Sequence, residues 1–338
     1  MSETNYTVVD GGHKSDGSID ELAYEVLVGL SSTPKRLPSR YFYDDEGSRL
    51  FQAIMGLEEY YLTRCEHEIL KREANNIATA IEGPIHLVDL GAGDGAKTQL
   101  LLAALVEQKA DVVYVPIDIS SAAIEGVIKK MSALFPTLKV AGVVGEYTAS
   151  LRWLASQRGE RSNLVLFLGS NIGNFPMPEA RGFLGRLWSQ LRVQDRLLVG
   201  FDLKKDIEKL LAAYNDNEGV TAAFNLNLLT RINRELGANF EVGAFRHYGT
   251  YDVLAGAMKS YLVSLEHQTV HIEALQRDFT FKPWEAVQTE YSYKYLRSDV
   301  ELLARDSGFE PIAHYEDSRG WFVDDLWRPR KGQTLSQG

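Results

Sequence analysis

The sequence predicts an α/β chain built on a parallel, doubly wound sheet, and two observations carry that expectation. From Ile85 onward, short apolar runs alternate with segments of helical spacing, the pattern of parallel strands joined by crossover helices. Directly after the first of these runs stands a glycine-rich stretch, Gly91 to Gly95, which opens a helix at the place where such sheets bind ligands.

Taken in order, Ile85–Leu90, Val112–Ile117, Val140–Val144, Leu164–Leu168 and Leu197–Phe201 read as strands, with helices over Lys97–Leu105 and Ala122–Phe135. Before them, residues 1–18 are polar and glycine-rich and are expected to be a disordered lead-in. A helix over Ile19–Leu30 follows from the spacing of Leu22, Val26, Leu27 and Leu30, and Ser31 to Pro34 stop it. The stretch from Arg40 to Thr63 is dense in aromatics. Tyr60 and Tyr61 cannot both bury a hydroxyl without a partner, so one of them is expected to face a polar ligand. Lys204–Asn239 reads as mostly helical. Lys259–Phe281 reads as two antiparallel strands turning near His267-Gln268. The tail predicts a helix from Val300 ended at Gly308, then strands around Pro311–Tyr315 and Gly320–Leu326 that close the sheet with an antiparallel edge.

The 338 residues, 45% of them hydrophobic, supply a sizeable core. A net charge of -10 without any basic block argues against nucleic acid as a partner and favours a small, partly cationic substrate. No run of 18 apolar residues and no signal pattern occur, so a soluble, cytoplasmic protein without a membrane partner is expected, and a monomer. The single cysteine, Cys65, and seven histidines without ligand spacing predict no metal site.

The run Val88-Asp89-Leu90-Gly91-Ala92-Gly93-Asp94-Gly95-Ala96-Lys97-Thr98 fits two cofactors by its glycines. Charge separates them. Asp89 and Asp94 would repel a pyrophosphate, whereas S-adenosylmethionine brings an ammonium, a sulfonium and one carboxylate, which Lys97 can pair. S-adenosylmethionine is therefore the expected cofactor, and an NAD(P)-dependent oxidoreductase is the alternative. Asp118, ending the second strand, suits the ribose hydroxyls of either. Glu146 is placed for the adenine edge and Tyr147 for stacking on the ring, while Asn174, after the fourth strand, offers an amide near the expected reacting centre.

Together these residues resemble the histidine Nα-trimethyltransferases, which make hercynine on the route to ergothioneine. The resemblance runs from about Leu22 to Leu326. It rests on Thr33-Pro34-Lys35, Phe42-Tyr43-Asp44, Gly47-Ser48-x-Leu50-Phe51 and Glu59-Tyr60-Tyr61-x-Thr63-Arg64, then on the glycine loop and Gly169-Ser170-x-Ile172-Gly173-Asn174. It continues through Phe201-Asp202-Leu203-x-Lys205-Asp206, Thr221-Ala222-Ala223-Phe224-Asn225 and Thr289-Glu290-x-Ser292-x-Lys294.

The resemblance implies a class I methyltransferase core with a Rossmann-like sheet over residues 65–204 and 295–338. It also implies a discontinuous substrate-binding domain over 19–64 and 205–294. It further implies that Tyr60, Asn174 and Tyr214 hold the substrate carboxylate, that Gly169 and Tyr43 lie beside the α-amino group, that Phe51 lines the pocket, and that Glu290 and Ser292 bond the imidazole. Ser260 stands where the family commonly has a methionine beside the substrate ring, and Asn171 replaces a frequent threonine. Ser260 motivates a second acceptor of the same chemistry, another aromatic amino acid such as a tryptophan derivative. A non-catalytic binding module would keep the fold, but no missing motif supports it. Methyl transfer needs a positioned neutral amine and no covalent nucleophile, so neutral hydroxyl and amide groups are expected around the nitrogen.

Overall fold

The computed structural model describes residues 6–9, 17–156 and 159–332. In chain order the strands are β1 (Tyr6–Val8), β2 (Lys35–Arg36), β3 (Ile85–Leu90), β4 (Val112–Asp118), β5 (Lys139–Val140), β6 (Gly142–Val144), β7 (Ser162–Phe167), β8 (Arg196–Asp202), β9 (Phe245–Asp252), β10 (Ala257–Ser264), β11 (Gln268–Ile272), β12 (Arg277–Phe281), β13 (Ala286–Tyr293), β14 (Phe309–Glu316) and β15 (Phe322–Pro329). The helices are α1 (Gly17–Ser31), α2 (Asp45–Gly56), α3 (Tyr61–Ala78), α4 (Thr98–Glu107), α5 (Ser121–Leu134), α6 (Tyr147–Ser156), α7 (Met177–Gln190), α8 (Ile207–Tyr214), α9 (Val220–Leu236) and α10 (Arg297–Asp306). The described residues fall into two units, one of 6–9, 62–203 and 295–332, the other of 17–61 and 204–294.

The first unit is a doubly wound sheet in the order β1-β6-β4-β3-β7-β8-β15-β14, with β5 also on β4. Its central strands are apolar on both faces: Leu87, Tyr114, Leu164, Leu166 and Leu198 pack with Leu101, Leu105, Val127 and Met131 of α4 and α5, and Val88, Val115, Val165 and Val199 are buried on the opposite face. Chain order runs from β3 outward to β4 and β6, then returns to β7 and β8 on the other side. The strand order therefore reverses between β3 and β7, and the loops after these two strands flank the crevice such a reversal creates.

The two tail strands close the sheet with an antiparallel edge, as a hairpin in which β15 lies between β8 and β14 and is antiparallel to both. Two expectations change here. The run Val140–Val144 is two short strands, since Ala141 turns its N–H to the Tyr114 carbonyl at 2.8 Å between them. The expected disordered lead-in carries β1, whose Tyr6, Thr7 and Val8 pair in parallel with Gly142, Val143 and Val144 and so cover the edge of β6. The remainder of that lead-in, 1–5 and 10–16, lies outside the described residues.

The second unit combines a four-stranded sheet, β2-β13-β10-β9, with the hairpin β11-β12. Its core joins Val26 and Leu30 of α1, Leu50 of α2, Phe224, Leu228 and Ile232 of α9, and Leu262 of β10. The Asp44 carboxylate caps α2 by accepting the Gly47 N–H at 2.8 Å. The expected pairing across His267-Gln268 does not form. Both edges of β10 are already taken by β9 and β13, so β11 pairs instead with β12, around a turn at Glu273–Leu275. Among the described residues, no helix is long and apolar enough to cross a membrane.

Candidate active site

In the first unit, β3 feeds the glycine loop into α4. Gly91, Gly93 and Gly95 have φ of 78°, 53° and 65°, conformations that side chains with a Cβ avoid. Gly91 and Ala92 donate to the Ile117 carbonyl at 2.9 and 3.1 Å, which ties the loop to the end of β4. Asp118 there accepts the Gly93 N–H on Oδ2 at 3.2 Å and the Ser120 N–H on Oδ1 at 3.0 Å. Burial raises its pKa, and the backbone donors oppose that rise. Each oxygen retains a second lone pair for a hydroxyl. Nothing lies within 4 Å of where a Cβ would stand on Gly93, so the loop is open there for a ligand to approach the backbone.

Asp89 behaves differently from the expectation. It is buried, and its Oδ2 accepts from Thr98 at 2.5 Å and Tyr114 at 3.0 Å, so it anchors the start of α4 from beneath the loop. Burial raises its pKa. Asp94 carries the charge argument instead. Its Oδ1 accepts the Ala96 N–H at 3.0 Å, so a carboxylate occupies the helix entrance where a dinucleotide fold holds pyrophosphate. Tyr147 packs against Phe167 and Phe183, with centroids at 5.5 and 6.0 Å. Its hydroxyl lies 2.8 Å from where a Gly91 Cβ would be. The ring expected to stack on adenine is thus engaged by phenylalanines, and its tip guards the loop. Glu146 is exposed on the link between β6 and α6.

Lys97 donates to Glu66 Oε2 at 2.6 Å, and Glu66 Oε1 accepts the Gly169 N–H at 2.6 Å. Burial would lower the Lys97 pKa, but the Glu66 carboxylate outweighs it and the net shift is upward. Gly169 needs to be glycine twice over: its φ is 77°, and a Cβ would stand 3.1 Å from Lys97 Nζ. The Asn171 side chain sits by both glycines, 3.4 Å from a Gly91 Cβ and 3.7 Å from a Gly169 Cβ. Asn174 ends the same short turn and is exposed. Below them is Asp324, fully buried, with no donor to either oxygen among the described residues. Burial and the neighbouring Glu66 carboxylate lift its pKa well above the carboxylate range.

In the second unit, three of the expected acceptor residues come together around Phe224. Tyr43 and Phe51 lie 5.7 and 5.8 Å from its ring, and Tyr60 packs edge-on to Phe51 at 6.2 Å. Of the tyrosine pair, Tyr61 is the buried one and its hydroxyl accepts from Lys205 at 2.9 Å, while Tyr60 is half-buried. The neighbour of Phe224, Asn225, accepts from Thr289 at 2.8 Å, which joins α9 to β13.

Along β13, Glu290 and Ser292 alternate with Tyr291 and Tyr293 and share one face, and Lys294 directly follows the strand. Ser260, opposite Glu290 in the β10–β13 register, donates to Glu290 Oε2 at 2.9 Å. Burial raises the Glu290 pKa, opposed by this bond and by the charge of Lys294. The Tyr214 hydroxyl donates to Ser292 Oγ at 2.8 Å, and Lys294 Nζ donates to both, at 2.9 and 3.0 Å. The resemblance assigned Tyr214 to a substrate carboxylate; in the structure its hydroxyl is within hydrogen-bond distance of Ser292 and Lys294. Sequence reasoning missed Glu66, Asp324, Phe224 and Lys294 as parts of these groups. The last two stand in motifs already noted, Thr221–Asn225 and Thr289–Lys294, and are the two that sequence spacing could have supplied.

An open glycine loop at the reversal of a doubly wound sheet, with Asp118 ending β4 and the Asp94 carboxylate at the helix entrance, fits an S-adenosylmethionine-dependent methyltransferase. The family model described as histidine-specific methyltransferase, SAM-dependent, matches residues 22–329, and the chain belongs to that family. It is 36% identical over 310 residues to the histidine N-alpha-methyltransferase of Mycolicibacterium smegmatis, covering 91% of this chain and 95% of that one. It is 31% identical to ergothioneine biosynthesis protein 1 of Schizosaccharomyces pombe, over 88% of this chain and 40% of that longer one. It is also 29% identical to the 4-dimethylallyltryptophan N-methyltransferase of Claviceps fusiformis, over 86% of this chain and 87% of that one.

Proposed function

We propose that this chain methylates the α-nitrogen of L-histidine, through to the trimethylated betaine hercynine, on the ergothioneine route. The observation that carries this reading is the polar face of β13, where the Glu290 carboxylate and the Ser292 hydroxyl lie two residues apart with separate partners, Ser260 and Tyr214. A neutral imidazole has one N–H and one bare nitrogen, and such a pair matches it with an acceptor and a donor.

S-adenosylmethionine supplies an electrophilic methyl group when bound. The chain's own part is to position and desolvate the amine. Asp118 and the Gly91–Gly95 backbone are assigned to the donor, and Lys97, paired with Glu66 at 2.6 Å, to its carboxylate. Tyr60 and Asn174 are assigned to the acceptor's carboxylate, Tyr43 and the Gly169 backbone to its amine, and Phe51 to its ring wall. None of the side chains assigned to the amine is charged, and the Glu66 carboxylate beside Gly169 is paired with Lys97, so the neutral form can be regained between methylations.

A tryptophan-type acceptor is the second reading. It is motivated by Ser260 in place of the usual methionine and by the likeness to a tryptophan-derivative enzyme. A panel of amino acids incubated with the methyl donor and read by mass separates the two. Histidine gaining up to three methyl groups supports the first reading; a tryptophan derivative gaining them while histidine stays unmodified removes it.

A further inference from the structure

Lys294 is fully buried and donates into the two hydroxyl oxygens of Tyr214 and Ser292. A hydroxyl has a single proton and two lone pairs. Ser292 Oγ accepts from Tyr214 at 2.8 Å and from Lys294 at 3.0 Å, so both lone pairs are used and its own proton must point elsewhere. Reversing the tyrosine–serine bond is disfavoured, because Tyr214 would then accept from both Ser292 and Lys294 on a phenolic oxygen whose lone pair is partly delocalised. Glu290 has the opposite polarity: as a carboxylate it accepts only, and Ser260 takes one of its oxygens.

We propose that Lys294 is a specificity-determining positioning residue: by filling the lone pairs of Ser292 it makes that serine an obligate donor, so the acceptor's ring is taken as the neutral imidazole, with its N–H on Glu290 and its bare nitrogen on Ser292. The inference rests on the histidine reading and deepens it. An imidazolium would turn an N–H against the serine proton and add a second cation beside Lys294. An indole has no bare nitrogen and would leave that proton unpaired, which costs a buried donor its partner.

The titratable groups facing this knot are Glu290 and Tyr214, Tyr251 of β9, whose pKa burial raises, and His247 of β9. His247 Nε2 lies 2.9 Å from the Tyr214 carbonyl oxygen, and burial lowers its pKa. Any of them would affect two acceptors alike, so the test compares acceptors. Histidine and its triazole analogue, whose ring has an N–H and a bare nitrogen but stays unprotonated above pH 5, are methylated by the full chain between pH 5.5 and 7.5. With a free histidine ring pKa of about 6.5, neutral-ring binding makes the ratio of kcat/KM, histidine over triazole, fall about tenfold from pH 7.5 to 5.5. In Lys294→Met the fall is expected to shrink below about threefold, since Ser292 can then accept an N–H. Lys294→Gln replaces this variant if Lys294→Met does not fold. A flat ratio in the parent overturns the proposal without any variant, and so does a tenfold fall that persists in the neutral variant. A parent that methylates neither ring but does methylate a tryptophan derivative removes the histidine reading and this inference together; methylation of histidine with a flat ratio removes the inference alone.

Discussion

Ser260 and Glu290 face each other across β10 and β13, and the serine hydroxyl donates to the glutamate at 2.9 Å. The residue that departs from the family's usual methionine is therefore wired to the carboxylate assigned to the acceptor ring. Ser260→Ala removes that donor and leaves Glu290 more easily protonated. The expected loss is about 0.5–1.5 kcal/mol in kcat/KM for histidine near neutral pH, the range for one hydrogen bond, with little change for tryptophan. Equal losses for both acceptors would mean that the bond shapes the sheet and not the ring site.

Glu290→Ala is expected to be more selective still. It leaves the imidazole N–H without its acceptor, a loss of about 1–3 kcal/mol for histidine that an apolar aromatic acceptor escapes. The measurement is the ratio of kcat/KM for histidine to that for tryptophan in parent and variant. An unchanged ratio takes Glu290 out of the acceptor site.

Asp118→Ala tests the donor side. The carboxylate has a free lone pair on each oxygen beyond its bonds to Gly93 and Ser120, and its loss is expected to weaken S-adenosylhomocysteine binding by about 1.5–3 kcal/mol. Calorimetry on the folded variant reads this directly, with a thermal melt to confirm that the loop's own two bonds were not the larger effect. Parent-like affinity counts against the assignment.

Asp324→Asn concerns stability. Because the folded-state pKa of Asp324 stands well above its unfolded value of about 3.9, the folded protein binds the extra proton between those two values. Its contribution is fully present below the unfolded pKa and is lost as pH rises through the folded one. The asparagine variant has no such proton to lose. Its melting temperature is expected to match the parent near pH 4 and to exceed it progressively as pH rises toward 8. A gap that does not change with pH would show that Asp324 has the same pKa folded and unfolded.

The sheet's central strands were legible from the chain alone because a strand buried on both faces must be apolar throughout, and β3, β4, β7 and β8 are short apolar runs of that kind. Partner choice was not legible in the same way. The run from Lys259 to Phe281 alternates as strands should, but alternation does not say which edge is already occupied, and β10 was taken on both sides. The glycine loop could be read because positive φ and close approach restrict residue type. Asp89 was misjudged because a carboxylate before such a loop has the same letters whether it faces a ligand or, as here, Thr98 and Tyr114.

By itself the sequence determined the doubly wound class and the position of the donor loop, since each follows from local periodicity or backbone restriction. Only the tertiary structure decided the hydrogen-bond direction at Ser292, the pairing of Lys97 with Glu66 and the isolation of Asp324. Those depend on groups far apart in the chain, Tyr214 with Ser292 and Glu66 with Asp324, brought into the dry interior, where every donor and acceptor must find a partner and a carboxyl without one keeps its proton.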